Sequence, residues 1–308
     1  MPADLHAHAR AAAHPAAEPC PGCVTGTLAD RPDATVVRHH RTVAKAHAPG
    51  TDPAALGARV AVAAALPEIL LPPLDPSPVP LDGRLVTRWP LGLPVDPDDP
   101  DAAPWEDAAA LTARLHRIPP PPGLPAMRGP AKAALAVAGL AADAPGHPAV
   151  PVLSRAWRAL PPWARDEEPA PPGAAGTLCH GDLHLGQLVR HPAPHGPWRL
   201  IDVDDLGVGV PAWDLARPAS WYACGLLPAE AWQRFLHAYR AARGPAVPAE
   251  GDPWPALDVP ARALTVQTAA RSVTKAALAG RALDEAEEAL VDACGRMAAS
   301  GGGPVGPV

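Results

Sequence analysis

The chain is short of aromatic residues other than tryptophan. Its 308 residues hold one Phe and two Tyr against nine Trp, while proline reaches 45. Positive charge is not in excess either: the formal net charge is -6, so the electrostatic footprint of a nucleic-acid binder is missing. No run of about eighteen apolar residues appears, which argues against a membrane span. The first twenty residues, rich in Ala, Pro and His, have no continuous apolar core and do not read as a secretory signal. A cytoplasmic protein is the expectation. Glycine-rich phosphate loops are absent as well: no G-x-G-x-x-G lies between Gly26 and Lys45, and Asp30-Arg31-Pro32-Asp33 reads as a plain hairpin turn. The five cysteines form an odd set in which only Cys20 and Cys23 are closely spaced. A Cys-x-x-Cys could be half of a zinc site or a redox pair. No second pair completes four ligands, so ordinary reduced thiols are the preferred reading.

What is present is a chain long enough to bury a large core, as one big domain or two lobes. The abundance of alanine and proline inflates the apolar fraction, so alanine alone is weak grounds for a helix. An acidic balance would suit a cationic substrate, though many enzymes carry the same charge. The informative stretch runs from Cys179 to Ala216. There His180-Gly181-Asp182-Leu183-His184-Leu185-Gly186-Gln187 is followed by Leu200-Ile201-Asp202-Val203-Asp204-Asp205, and then by Gly209-Val210-Pro211-Ala212-Trp213-Asp214-Leu215-Ala216. Phosphoryl transfer needs a carboxylate at the substrate hydroxyl, and oxygen ligands that hold Mg²⁺ against the nucleotide phosphates. Asp182 and Gln187 are five positions apart, the spacing of the H-x-D-x-x-x-x-N catalytic loop of protein kinases, and Asp202 follows behind an apolar strand.

Three blocks in this order resemble the aminoglycoside phosphotransferase family, which shares a fold with choline kinases and, more distantly, protein kinases. Its signature reads roughly H-G-D-L-H-x-G-N, I-D-F-x-D and G-x-P-x-x-D-L-A. The resemblance implies an α+β, bilobal, protein-kinase-like fold: a small N-terminal β-rich lobe and a larger, mainly helical C-terminal lobe. It also implies an ATP-dependent phosphotransferase that moves the γ-phosphate to a hydroxyl of a small molecule, an antibiotic such as an aminoglycoside or a sugar or amino alcohol. Mg²⁺ would be the cofactor, and Mg·ATP would lie between the lobes. Side chains do not distinguish ATP from GTP. The partners are then a nucleoside triphosphate and a small-molecule acceptor, with no nucleic acid and no membrane.

By this resemblance Asp182 is the catalytic base, Asp202 and Gln187 ligate the metal, and Lys45, after Thr42-Val43-Ala44, holds the nucleotide's α- and β-phosphates. Val86 to Trp89 is the candidate hinge, with Thr87, Arg88 and Trp89 meeting the nucleobase. His180 packs behind the catalytic loop. His184, Asp204 and Asp205 are candidate substrate or supporting residues, and Asp214 anchors the loop or caps a helix. Two departures stand out. Gln187 replaces the usual Asn, whose amide oxygen would sit closer to the backbone. The helix after Lys45, Ala54 to Leu66, has no acidic residue to orient that lysine, and Arg59 stands near the expected place; Glu68, just beyond, is the candidate substitute.

Element by element, residues 1–22 read as a flexible segment, 23–95 as the nucleotide-covering lobe, 96–300 as the helical lobe and 301–308 as a flexible tail. Strands are expected at Thr35 to Arg38, Arg41 to Ala46 and Gly83 to Pro90. Asp52 before Pro53 marks a helix start. A Pro- and Asp-rich passage from Leu93 to Pro104 precedes helices at Trp105 to Ile118, Ala131 to Ala142, Val152 to Leu160, Pro211 to Gly225, Ala229 to Arg243, Val259 to Ala279 and Leu283 to Ala298. Gly186 to Arg190 and Trp198 to Val203 form a hairpin, with Asp182 before its first strand and Asp202 at the end of its second. If the second strand continues, Asp204 shares a side with Asp202.

Alternatives stay open. A non-catalytic nucleotide-binding regulatory protein would keep the fold, and the missing helix Glu and the Gln187 change favour it. H-x-D-x-H over His180, Asp182 and His184 could belong to a metal-dependent hydrolase. Trp213, Trp221 and Trp232 could stack on a sugar, although tryptophan more often packs in the core. The charged Asp284 to Glu288 reads as a solvated helix face.

Overall fold

Short runs of β-branched residues separated by His40 and Arg41 build the front of the chain. Strands β1 (Thr25–Asp30), β2 (Thr35–His39) and β3 (Thr42–Ala46) form a meander. Along β2 and β3 buried residues alternate with half-buried ones, the period of a sheet packed on one face. In this computed structural model, which describes residues 2–14, 20 and 22–299, two later strands complete the sheet. They are β4 (Val79–Leu81) and β5 (Arg84–Pro90), and the antiparallel order is β1-β2-β3-β5-β4.

In place of the flexible segment expected over residues 1–22, Pro2–Ala13 form helix α1. Leu5 and Ala9, one turn apart, are fully buried against Val37, Ala44, Ala46 and Val86 of the sheet. That packing is what gives order to a helix whose alanine content alone would leave it marginal. The expected flexible tail, 301–308, lies outside the described residues.

Helix α2 (Pro53–Ala65) begins where proline fits best: the Asp52 carboxylate caps it by accepting from the Ala54 N–H at 2.8 Å. Beyond it, β6 (Leu93–Pro94) pairs with β8 (Leu188–Arg190), which in turn pairs with β9 (Trp198–Leu200). β7 (Thr177–Cys179) precedes β8 and β9 in the chain. The chain divides into two compact units, and the division differs from a simple break at residue 95. The first unit takes its described residues from Met1–Ala103, Pro121–Pro125 and Leu185–Asp204. The reason is visible in the backbone: Leu200 donates to the Ile69 carbonyl at 2.9 Å and accepts from the Leu71 N–H at 2.8 Å. The β8–β9 hairpin is thereby part of the front unit.

The second unit, drawn from Pro104–Pro120, Ala126–His184 and Asp205–Val308, is mostly helical. Its helices are α3 (Trp105–His116), α4 (Gly129–Asp143), α5 (Val150–Arg158), α6 (Ala212–Ala223), α7 (Ala229–Ala241), α8 (Trp254–Leu278) and α9 (Glu285–Ala299). β7 pairs with β10 (Gly207–Gly209). Helix α8 starts five residues before the expected Val259, because Pro260 sits inside it rather than at its first turn; burial of Leu257 and Pro260 offsets the lost backbone bond. One core gathers Leu140, Leu153, Val266, Val273, Leu290 and Met297 from α4, α5, α8 and α9. Two of the three tryptophans considered for sugar stacking are core residues. Trp213 is buried so tightly against Gly129 that a methyl there would lie 2.2 Å from its Nε1, and Trp232 is buried in a stack with Tyr222. Trp221 is half-buried. Among the described residues no helix is long and apolar enough to cross a membrane.

Candidate active site

The loop that carries Asp182 is hung from one buried carboxylate. Asp214, in the first turn of α6, accepts the His180 N–H at 2.6 Å and the Gly181 N–H at 2.7 Å, while His116 Nε2 lies 3.0 Å away. Burial opposes the charged form of Asp214, yet His116, His180 and these amides outweigh it, and the carboxyl is held below its ordinary range. His116 is fixed in turn by the Tyr239 hydroxyl at 2.7 Å. Gly181 has φ +85°, and a methyl on it would sit 2.3 Å from the Asp205 carbonyl oxygen. Both the conformation and the close backbone approach require glycine.

Asp182 itself is clamped by two cations. Lys132 Nζ from α4 lies 2.7 Å from Oδ2, and Arg217 Nη2 from α6 lies 2.7 Å from Oδ1. Lys132 also reaches Asp205 Oδ2 at 2.6 Å, so one ammonium ties two carboxylates together. Burial works against the Asp182 anion, but Lys132 and Arg217 prevail and hold its carboxyl well below the usual carboxylate range. His184 goes the other way for an imidazole: burial, reinforced by Arg217, lowers it to about 4, so it is neutral near pH 7. With both oxygens of Asp182 engaged by cations, the H-x-D-x-H hydrolase reading loses its carboxylate ligand. Among the described residues, the clusters with metal-binding spacing do not include His180, Asp182 and His184.

In the first unit the second carboxylate pair surrounds Lys45. Its Nζ lies 2.6 Å from Asp202 Oδ1 and 2.9 Å from Asp204 Oδ2. Burial would discharge Lys45, yet the two carboxylates raise its pKa above that of a free lysine, and the ammonium in turn depresses Asp204. Strand β9 stops at Leu200, so Asp204 does not reach this place by strand alternation; a tight 3-10 turn over Val203–Asp205 brings it there. Asp202 has φ +63°, the left-handed region that Asp tolerates better than most residues, and its side chain stays 36% exposed. His47 Nδ1 lies 3.0 Å from Asp204 Oδ1, off the hydrogen-bond direction, and its Nε2 is 2.8 Å from Thr87 Oγ1. Gln187 is buried at the end of a short 3-10 turn, where its carbonyl accepts the Ile201 N–H at 2.9 Å.

One expectation needs correction. Glu68 is not the partner of Lys45; it pairs with Arg199 at 3.3 Å, and Asp204 is the second carboxylate on Lys45, while α2 has no acidic residue in its first turn. Thr87, Arg88 and Trp89 lie within the sheet. Thr87 and Trp89 face Lys45 and Val43 in the ladder, the Arg88 carbonyl accepts from Leu74 at 2.8 Å, and the Arg88 guanidinium is paired with Asp75.

Lys132 and Arg217 were not singled out by the sequence reading. Lys132 is the only Lys or Arg between Arg128 and Arg155, stranded in an apolar helix, and Arg217 follows Asp214-Leu215-Ala216 directly. A lone cation on an apolar face asks for a buried anion.

Gly181→Ala provides a check on this loop. The left-handed backbone alone costs on the order of 1–3 kcal/mol for a residue with a Cβ, and the contact with Asp205 adds to it. Catalytic activity should fall at least tenfold while the thermal unfolding midpoint drops; unchanged activity would mean that the loop tolerates another path.

Comparison with known proteins places these features. The profile described as the phosphotransferase enzyme family (APH) matches residues 5–254. No curated protein matches the sequence. Several solved structures share the fold at low identity. An aminoglycoside-3'-phosphotransferase of type VIII is 21% identical, with 85% of this chain and 100% of that chain covered and a TM-score of 0.54. The macrolide 2'-phosphotransferase from Brachybacterium faecium is 20% identical, covering 95% and 98%, with a TM-score of 0.51. A microcompartment-associated aminopropanol kinase is 17% identical, covering 97% and 99%, with a TM-score of 0.56. With the family profile spanning most of its length, the chain belongs to the APH family of phosphotransferase enzymes and is a small-molecule phosphotransferase.

Proposed function

We propose that this enzyme transfers the γ-phosphate of ATP directly to a hydroxyl of a small acceptor, with Mg²⁺ as cofactor. The observation that carries the reading is the division of the motif carboxylates into two differently charged settings. Asp182 is fixed as an anion by Lys132 and Arg217, whereas Asp202 shares Lys45 with Asp204 and remains part exposed. Hard carboxylate and amide oxygens suit Mg²⁺, so Asp202 and Gln187 fit the metal's needs. When bound, the ion would neutralise charge on the transferring phosphates. Lys45, kept charged by its carboxylates, would offer its ammonium to the nucleotide phosphates.

Asp182 would accept a hydrogen bond from the acceptor hydroxyl and aim that oxygen at the γ-phosphorus. The P–O bond to the acceptor forms as the bond to ADP breaks, and the hydroxyl proton passes to Asp182. A carboxylate held so far below its ordinary range is a weak base, so its main contribution is orientation; the proton moves late, when the attacking oxygen has already lost electron density. Lys132 and Arg217 then serve as positioning residues for Asp182.

The test is ADP release, and separately GDP release, across aminoglycosides, macrolides, nucleoside antibiotics, hexoses and amino alcohols, with Asp182→Asn alongside. Acceptor-dependent release that falls by several powers of ten in the variant is expected. Near-normal turnover in Asp182→Asn would remove that residue from the mechanism, and nucleotide binding with no turnover on any acceptor would favour the regulatory reading. Gln187→Asn, which restores the shorter family side chain, should preserve or raise activity if the amide ligates metal. Loss of folding and activity together would assign Gln187 to loop packing.

A further inference from the structure

The sequence leaves Cys20 and Cys23 without partners, and the fold supplies two. His14 follows the last turn of α1, and His39 ends β2. His14 Nε2 lies 3.2 Å from Cys23 Sγ, and His39 Nε2 lies 3.2 Å from Cys20 Sγ. One ligand atom from each of the four residues falls within 4.8 Å of every other. The two imidazoles meet edge to face, with centroids 5.2 Å apart and planes at 89°, which lets both Nε2 atoms converge on the sulfurs.

We propose that His14, Cys20, Cys23 and His39 form a structural zinc site that fastens α1 to the end of β2 in the front sheet. The donor set is the closed Cys₂His₂ type, with no position left for substrate. Zinc bonds of about 2.3 Å to sulfur and about 2.0–2.1 Å to nitrogen, at tetrahedral angles, separate neighbouring ligand atoms by about 3.4–3.8 Å. The present S···N pairs, at 3.2 Å, are a few tenths of an ångström shorter than that spacing, and the four atoms lie within 4.8 Å of one another, so small side-chain shifts would bring them round one centre. Two thiolates and two neutral imidazoles balance the charge of Zn²⁺, so the site adds no net charge where it is half-buried. The protein's needs point the same way: the apolar docking of α1 rests on Leu5 and Ala9, and a metal crosslink between its C-terminus and β2 would hold it there. β2 pairs with β3, where Val36 faces Lys45, so the clip would also stiffen the strand beneath the lysine.

The test uses the full chain, purified under reducing conditions without a histidine tag or chelator. About one zinc per chain is expected by mass spectrometry of the metal. Exchange with Co²⁺ should give the intense visible bands and thiolate charge transfer of a tetrahedral site. Cys20→Ala/Cys23→Ala should lose both signals, and Cys224→Ser should keep them. Because the double variant could misfold, His14→Ala is measured in parallel, and its cobalt bands should shift or weaken. Chelation should open the chain between α1 and β1 to protease. The proposal is overturned by wild-type protein that neither contains nor takes up stoichiometric zinc, by a Cys20–Cys23 disulfide in the reduced preparation, or by metal retained in the double variant.

Discussion

Burying a carboxylate requires a cation beside it, and this constraint organises the functional residues of the chain. Asp182 and Asp205 share Lys132, Asp182 adds Arg217, and Asp202 and Asp204 share Lys45. Each cation comes from an element distant in sequence from its carboxylate. Desolvating such groups is costly unless the geometry is good, so these pairs contribute little net stability and a great deal of definition: removing one partner leaves a stranded buried charge. The loops that bear the motif are thereby held to one arrangement. Asp214 extends the same logic to the backbone, using one fully buried carboxylate to satisfy two loop amides and a histidine.

The carboxylates were legible in the sequence because the motif that carries them is contiguous. The fold class was legible through the resemblance that the motif carries, and the helices of the second unit because apolar spacing and proline punctuation survive the alanine bias. The cations were not, because nothing in local spacing tells that Lys132 faces Asp182 fifty residues on. Helix α1 escaped notice for a related reason: its Ala-rich sequence has weak periodicity, and it is defined by what the sheet offers to Leu5 and Ala9. Thr87, Arg88 and Trp89 lie in a strand of a five-stranded sheet whose neighbours a sequence does not name.

The departures from the family pattern are coherent in physical terms. A helix without an acidic residue leaves Lys45 without a partner from α2, and a second Asp two positions after Asp202 supplies the charge through a tight turn. A residue without a charge at that place could not. Substitution on one element is thus answered by substitution on another, with the ammonium as the shared quantity.

The central claim is that Asp202 serves the nucleotide and its metal while Asp182 serves the acceptor. Calorimetric titration with ATP, with and without Mg²⁺, on the wild type, Asp202→Asn and Asp182→Asn separates the two. The account predicts that Asp202→Asn loses the Mg²⁺-dependent part of the affinity and that Asp182→Asn keeps it. Equal Mg²⁺ dependence in both variants, or its loss in Asp182→Asn alone, would contradict it.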